Sequence, residues 1–273
     1  MSAIHIHQIY YNEQTRAQLD PGFIPLDNTD NLRPEWYEFW VIKQFLEQND
    51  LADDAFYGFF SPKFGAKAGL TAAQLQALMA PHQANTDVFL VATAWSQLAY
   101  FQNPFEQGEF WHPGIFDLSQ QVLEALGLNI QLNELVTCSH NFAFCNYIVA
   151  RKSYWLAWKQ LADAFFELVE TRQDTLGDIL RGETSYVKRL APMRAFVQER
   201  LPAIILQQQS YRTCAIEDAA HFAIARNVFQ PSGTYERATL QMCNLLKHRY
   251  YLDGNLEHLR SYHHIRQNLQ LIR

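Results

Sequence analysis

Residues 23–40 read FIPLDNTDNLRPEWYEFW, and the reading of this stretch decides the architecture. Two Asp-Asn steps, Asp27-Asn28 and Asp30-Asn31, stand before Pro34 and an aromatic run. Short polar side chains of this kind close turns and cap helices. Pro34 suits the first turn of a helix, where its missing N–H costs nothing. Trp36, Phe39, Trp40, Ile42, Phe45 and Leu46 then predict a helix over about 34–48 with a broad apolar face. Upstream, AIHIHQIYY (3–11) has the β-branched and aromatic content of a strand, and Pro21-Gly22 marks the start of a turn-rich connection. The unit is strand, loop, helix. In open α/β folds, ligands collect beyond the carboxyl ends of the strands, so the Asx cluster could serve a turn, a polar pocket, or both.

The same alternation continues outward. DDAFYGFFSPKF reads as a buried strand ending at Ser61-Pro62, Thr71 caps a short helix TAAQLQALMA, and TDVFLVATAW is a third strand with Asp87 at its start. A helix near 93–101, a turn-rich stretch NPFEQGEFWHPG and a helix DLSQQVLEALG follow, and NFAFCNYIVA is a fourth strand. SYWLAWKQLADAFFELVE is the clearest helix, because Tyr154, Trp158, Leu161, Phe165 and Leu168 recur at spacings of three and four. From about 192 the text reads as mostly helical, broken at Pro202, Pro231-Ser232-Gly233 and Asp253-Gly254. The expected fold is α/β: a central sheet flanked by helices over residues 1–205, with a helical C-terminal extension over 206–273 packed on it.

Composition narrows the function. Hydrophobic residues make up 48% of the 273 residues and charged residues 18%, the balance of a globular chain. A net charge of −6 argues against a nucleic-acid binder. No apolar run approaches the roughly 20 residues that span a bilayer, and MSAIHIHQIYYNEQ has no signal-peptide pattern. The four cysteines, Cys138, Cys145, Cys214 and Cys243, form no C-x-x-C pair, which suits a reduced, cytoplasmic chain. Aromatic residues reach 14%; they can fill a core or stack on nucleobases and sugar rings.

Several residues could carry chemistry. Asp30 and Asn31 could accept sugar hydroxyls, with Glu38 one turn into the next helix aimed at the same pocket; turn closure is the plainer role. Ser61 and Lys63 emerge where a strand ends, and Lys63 could neutralise a phosphate as a point charge or simply be solvated. Tyr10 and Tyr11 end the first strand, where a ring could stack on a base or enter the core. Asn146 is a polar residue in an apolar strand and needs a partner, since an unpaired buried amide costs roughly 1–3 kcal/mol. Glu199 and Arg200, in MRAFVQERL, border an apolar face; Glu199 could be a structural ion or a base. The histidines, including His5-x-His7 and His263-His264, lack zinc-site neighbours. There is no G-x-S-x-G, no G-x-x-x-x-G-K-[ST] and no G-x-G-x-x-G, so hydrolase, P-loop and dinucleotide readings lose support.

In the order of these pieces the chain resembles the GT-A-type glycosyltransferases of bacterial capsule and O-antigen loci, in particular a group of short ones. The pieces are Ile24-Pro25 with Asp30-Asn31 and Glu38, Tyr57-Gly58-Phe59 through Lys63-Phe64, and Asp87-Val88-Phe89-Leu90. Asn146-Tyr147-Ile148 leading to Trp155 or Trp158, and Glu199-Arg200-Leu201, complete the series. They span about residues 1–205, each short by itself. The resemblance implies a GT-A-like, Rossmann-like mixed sheet and an enzyme that transfers a sugar from a nucleoside-diphosphate donor, of UDP type, to a cell-surface polysaccharide or other glycan. It implies that Tyr10 and Tyr11 cradle the nucleotide, and that Asp30, Asn31 and Asn146 bind sugar hydroxyls with Ser61 and Asp87 nearby. Lys63 then faces the diphosphate, and Glu38 or Glu199 is the base. Many GT-A enzymes hold Mn²⁺ or Mg²⁺ with a D-x-D; none stands at the expected strand end, and Asp27-Asn28-Thr29-Asp30 is D-x-x-D and early. The basic stretch LLKHRYY…LEHLRSYHHIRQNLQLIR could dock a lipid-linked acceptor at the inner leaflet. The competing readings are a non-catalytic carbohydrate- or protein-binding module on the same architecture, and an unrelated α/β enzyme.

Overall fold

The computed structural model describes residues 2–143, 145–186, 189–216, 224–231 and 235–272. Its centre is a six-stranded mixed sheet flanked by helices. The strands are β1 (Ile4–Tyr10), β2 (Ile24–Asp27), β3 (Phe56–Phe60), β4 (Val88–Val91), β5 (Ile148–Arg151) and, after a separate hairpin of β6 (Glu183–Tyr186) and β7 (Arg189–Pro192), β8 (Thr213–Ile216). Their spatial order is β2-β1-β3-β5-β4-β8. β1 runs parallel to both β2 and β3, β5 runs antiparallel to β3 and β4, and β8 runs parallel to β4. All sheet strands except β5 therefore deliver their carboxyl ends to one rim.

Alternation along β3 shows how the sheet is covered. Tyr57 and Phe59 face the core under the helices Glu38–Gln48, Lys152–Thr171, Met193–Gln198 and Leu201–Gln208. Phe56 and Phe60 face the opposite core, built with the helices Phe64–Ala68 and Ala72–Met79. The aromatic richness of the sequence is largely core. Trp36 stacks on Phe39 at 4.9 Å between ring centres, Phe39 meets Trp158 at 5.3 Å, and Phe59 meets Trp155 edge-on at 4.8 Å. Trp155 donates its indole N–H to the Tyr57 carbonyl at 2.9 Å, so this buried ring pairs its polar atom. Gly58 lets β5 approach: a Cβ there would stand 3.0 Å from Val149 and 3.2 Å from the Ile148 carbonyl.

Three differences from the sequence reading matter. The predicted 34–48 helix is a short 3₁₀ turn, Pro34–Trp36, and then a helix from Glu38, separated by Tyr37 at φ 50°. The turn-rich NPFEQGEFWHPG contains a helix, Pro104–Trp111, whose N-cap Asn103 accepts from the amides of Phe105 and Glu106. The mostly helical C-terminal text contains β8, which pairs with β4, so the sheet continues past residue 205. Beyond it, Leu240 of the helix Glu236–Asp253 and Leu269, just after the helix Leu256–Arg266, join Trp95, Ala99, Phe101, Val228 and Phe229 in a third apolar cluster. Of the expected break at 231–233, Ser232 and Gly233 lie outside the described residues. No helix among the described residues is long and apolar enough to cross a membrane.

Candidate functional site

At the carboxyl rim of β1 and β3 lies a hollow of about 510 Å³. Its walls come from segments distant in sequence: Tyr11 after β1, Asn31 and Tyr37 from the first long connection, Lys63 and Lys67 after β3, and Glu199 after the Met193–Gln198 helix. Of the residues singled out in the sequence, Tyr11, Asn31, Glu38, Ser61, Lys63 and Glu199 line it. Asn146 lines a smaller chamber of about 40 Å³ that shares Glu38, Ser61 and Glu199 with the larger one.

Each side chain is placed by local chemistry. Tyr11 enters a short helix whose N-cap Asn12 and Thr15 form a reciprocal capping box, and Thr15 also takes the Tyr11 amide at 2.9 Å. Its phenol meets the Glu38 carboxylate, and burial followed by that carboxylate raises its pKa. Asn28 is buried and donates to the Asn31 side chain at 3.3 Å, while its own amide donates to the Tyr10 carbonyl at 2.9 Å. Asn31 and Tyr37 both line the hollow with positive φ, 39° and 50°, a conformation that costs a non-glycine residue of order 1–3 kcal/mol. The Ser61 hydroxyl is buried and hydrogen-bonded to the Tyr147 hydroxyl at 2.7 Å. Lys63 and Lys67 stand four residues apart across the Phe64–Ala68 helix, on one face.

Glu199 is the perturbed carboxylate of the site. It is half-buried in the wall and makes no ion pair among the described residues. Burial pushes its carboxyl up to about 7, opposed by Arg200 and Lys67 and reinforced by Glu38. Arg200 does not reach out to neutralise it. The guanidinium is buried behind Glu199, donating to the carbonyls of Pro104 at 2.8 Å and Phe196 at 2.6 Å and to the Gln107 side chain at 2.7 Å. Gly108 makes room for it, since a Cβ there would lie 2.5 Å from its Nε. His112 stacks on Phe196 at 3.7 Å and steadies the same helix. The hollow thus gathers two lysines and two carboxylates, and burial leaves one of the carboxylates able to take a proton near neutral pH.

Three expected site residues are not brought here. Asp87 precedes β4, which is parallel to β1, so it stands at the opposite, amino rim; it pairs with Arg212 at 2.7 Å and lies 3.9 Å from Arg151. Tyr10 is buried and donates its phenol to Asp27 at 2.7 Å on the far side of the strand. Asp30 is exposed and lines neither chamber, because the turn is closed instead by Asp27, which accepts the Thr29 amide at 2.8 Å. Asn146 is two residues before β5 rather than within a strand. The basic C-terminal stretch is partly engaged: Lys247 is buried and donates to the carbonyls of Leu98 and Phe101, Arg266 pairs with Glu106 at 3.0 Å, and Arg260 pairs with Glu257. The sequence reading missed Lys67, Tyr37 and Gln198. Only Lys67 had a signal, its helical spacing from Lys63.

Comparisons of the chain with protein-family models, with curated proteins and with solved structures find no match.

Proposed function

We propose that this chain is a GT-A-type glycosyltransferase that moves a sugar from a UDP-type nucleotide sugar to a hydroxyl of a cell-surface polysaccharide or another glycan. The observation that carries the reading is Glu199. A carboxyl held at about 7 beside two lysines, on the rim where α/β sheets bind ligands, has the protonation behaviour a general base needs. In this reading the acceptor hydroxyl loses its proton to Glu199 as its oxygen bonds to the anomeric carbon. The bond from that carbon to the diphosphate breaks, and the leaving group's negative charge is met by Lys63 and Lys67. Glu38 and Tyr11 hold the sugar, and Tyr37 offers a ring to the nucleotide end.

Many GT-A enzymes hold a divalent ion on the diphosphate, and the residues here fit that group poorly. The stretch after β4, Ala92-Thr93-Ala94, has no carboxylate, and among the described residues no three His, Cys, Asp or Glu side chains cluster as metal ligands. The rim's own carboxylates share the hollow with Lys63 and Lys67, which would repel a cation. No step above runs through a metal.

The test is a melting-temperature scan with UDP and UDP-sugars, with and without Mn²⁺, followed by assay of UDP release with oligosaccharide acceptors. A ligand at 100 times its Kd stabilises the folded state by about 2.7 kcal/mol, a readable rise. Glu199→Gln is expected to keep the rise and lose UDP release. No rise with any UDP-sugar refutes the reading and leaves a non-catalytic module.

A further inference from the structure

The small chamber behind the main hollow has a chemical bias. Gln198 is 5% exposed. Its side-chain N–H donates to the Trp36 carbonyl at 3.4 Å, which fixes the amide so that Oε1 is the free end. That Oε1 has no hydrogen-bond partner, and neither does the buried Oδ1 of Asn146. Both residues line the chamber together with the carboxylates Glu38 and Glu199, the Lys67 ammonium and the mutually hydrogen-bonded hydroxyls of Ser61 and Tyr147. Buried acceptors without donors cost roughly 1–3 kcal/mol each, so a chamber whose lining includes two residues with such acceptors is complementary to a ligand that brings donors.

Size adds a second constraint. The chamber measures about 40 Å³, whereas a cavity of about 150 Å³ holds a benzene ring. By that scale it admits a group of one or two heavy atoms.

Resting on the glycosyltransferase reading, we propose that this chamber is the specificity pocket for the donor sugar. It takes a compact hydrogen-bond donor on the ring, a hydroxyl, hydroxymethyl or free amine, and rejects an acetamido group. An acetamido group brings four heavy atoms, more than a chamber of about 40 Å³ holds, and an apolar methyl against two acceptors that stand without donors. It fails first on volume. Gln198 and Asn146 are the residues that read the difference.

The experiment measures binding of matched pairs by calorimetry: UDP-glucose and UDP-galactose against UDP-N-acetylglucosamine and UDP-N-acetylgalactosamine, with UDP-glucosamine as the amine arm. At least one hydroxyl or amine donor should bind about tenfold or more tighter than its acetamido counterpart. Asn146→Ala, which removes an acceptor and enlarges the chamber, should narrow that ratio by about tenfold. Gln198→Leu should weaken the hydroxyl donor about tenfold while leaving UDP alone unchanged. Melting of each variant without ligand verifies folding, and the two substitutions lie on different segments, so failure of one to fold leaves the other as the test. Equal affinity across each matched pair, or preference for the acetamido sugar, overturns the proposal while the transferase reading stands. An absence of binding by UDP and every UDP-sugar sinks that parent reading.

Discussion

Glu199→Gln should make the protein more stable and less active at once. A carboxyl whose pKa rises from 4.5 to about 7 on folding binds its proton more tightly in the native state. Stability therefore falls as pH rises through that window and levels off above it. The full difference of 2.5 pH units corresponds to ~3.4 kcal/mol at 1.36 kcal/mol per unit. Glu199 keeps some contact with solvent at the wall of the hollow, and discounting for that leaves about 2 kcal/mol. The neutral amide escapes this penalty, so at pH 8 the variant should melt about 4–6 °C above the parent, with the difference closing to nothing near pH 4. Transfer should fall by about 10²–10⁴-fold, the usual worth of a positioned base. Urea or thermal melts of both proteins from pH 4 to 8 measure it. His7 and His112, each lowered to about 4 by burial, impose their own acid slope but cancel in the difference. A gap in melting temperature that does not depend on pH, or a variant less stable at pH 8, refutes the assignment of Glu199 as a desolvated carboxyl.

Other perturbations follow from the same geometry. Lys67→Met removes a charge that favours ionised Glu199, and Glu38→Gln removes one that opposes it. The rising limb of the kcat/KM profile, near pH 7 in the parent, should move up in the first and down in the second, by about half a pH unit or more; shifts of the same sign in both would contradict the layout. Gly108→Ala should destabilise by about 2 kcal/mol in urea melts despite the better helix propensity of alanine, because its Cβ would stand 2.5 Å from Arg200 Nε. Asp87→Ala should leave UDP-sugar affinity unchanged and lower the melting temperature by about 2–4 °C at pH 7. Arg212 depresses the Asp87 pKa, so that loss should be full above the unfolded carboxyl range and vanish as pH falls through the depressed value.

How much of the fold was legible in the sequence depended on where each segment lies in the sheet. β1 and β3 are interior strands, and isoleucine and aromatic residues dominate their text, IHIHQIY and FYGFF. β2 and β8 are the two edges, four residues each. β2 holds Pro25 and ends in Asp27, which an edge tolerates and a propensity reading takes for a turn. The Pro104–Trp111 helix had its signal, Asn at the cap and Pro at the first position. Gly108 obscured it, and that glycine answers to Arg200 rather than to the helix. Among site residues, Glu38, Lys63 and Glu199 were legible because each sets a charge at the end of an element beside an apolar run. Asp87 looked equivalent, but strand direction sends it to the far rim, and direction is not written in a lone D-φ-φ-φ (φ apolar). Gln198 and Tyr37 carried no signal: one is a glutamine inside a helix, the other a tyrosine among aromatics.

The Asx cluster and the aromatic run after it finally work as one device. Asp27 closes the turn and Asn28, buried, holds Asn31 at the edge of the hollow. Trp36 and Phe39, at 0% and 2% exposure, then pin the chain on both sides of Tyr37. Pinned so, the backbone must take φ 50° at Tyr37, and the helix that follows starts with Glu38 at the hollow rather than one residue earlier. A relaxed Tyr37 would let the 3₁₀ turn run on into the helix and rotate Glu38 by about 100° about the axis, away from Glu199 and Lys67. The positive φ at Tyr37 thus stands at the junction that brings Glu38 to the hollow it shares with Glu199, and it is held by the packing of Trp36 and Phe39 on either side.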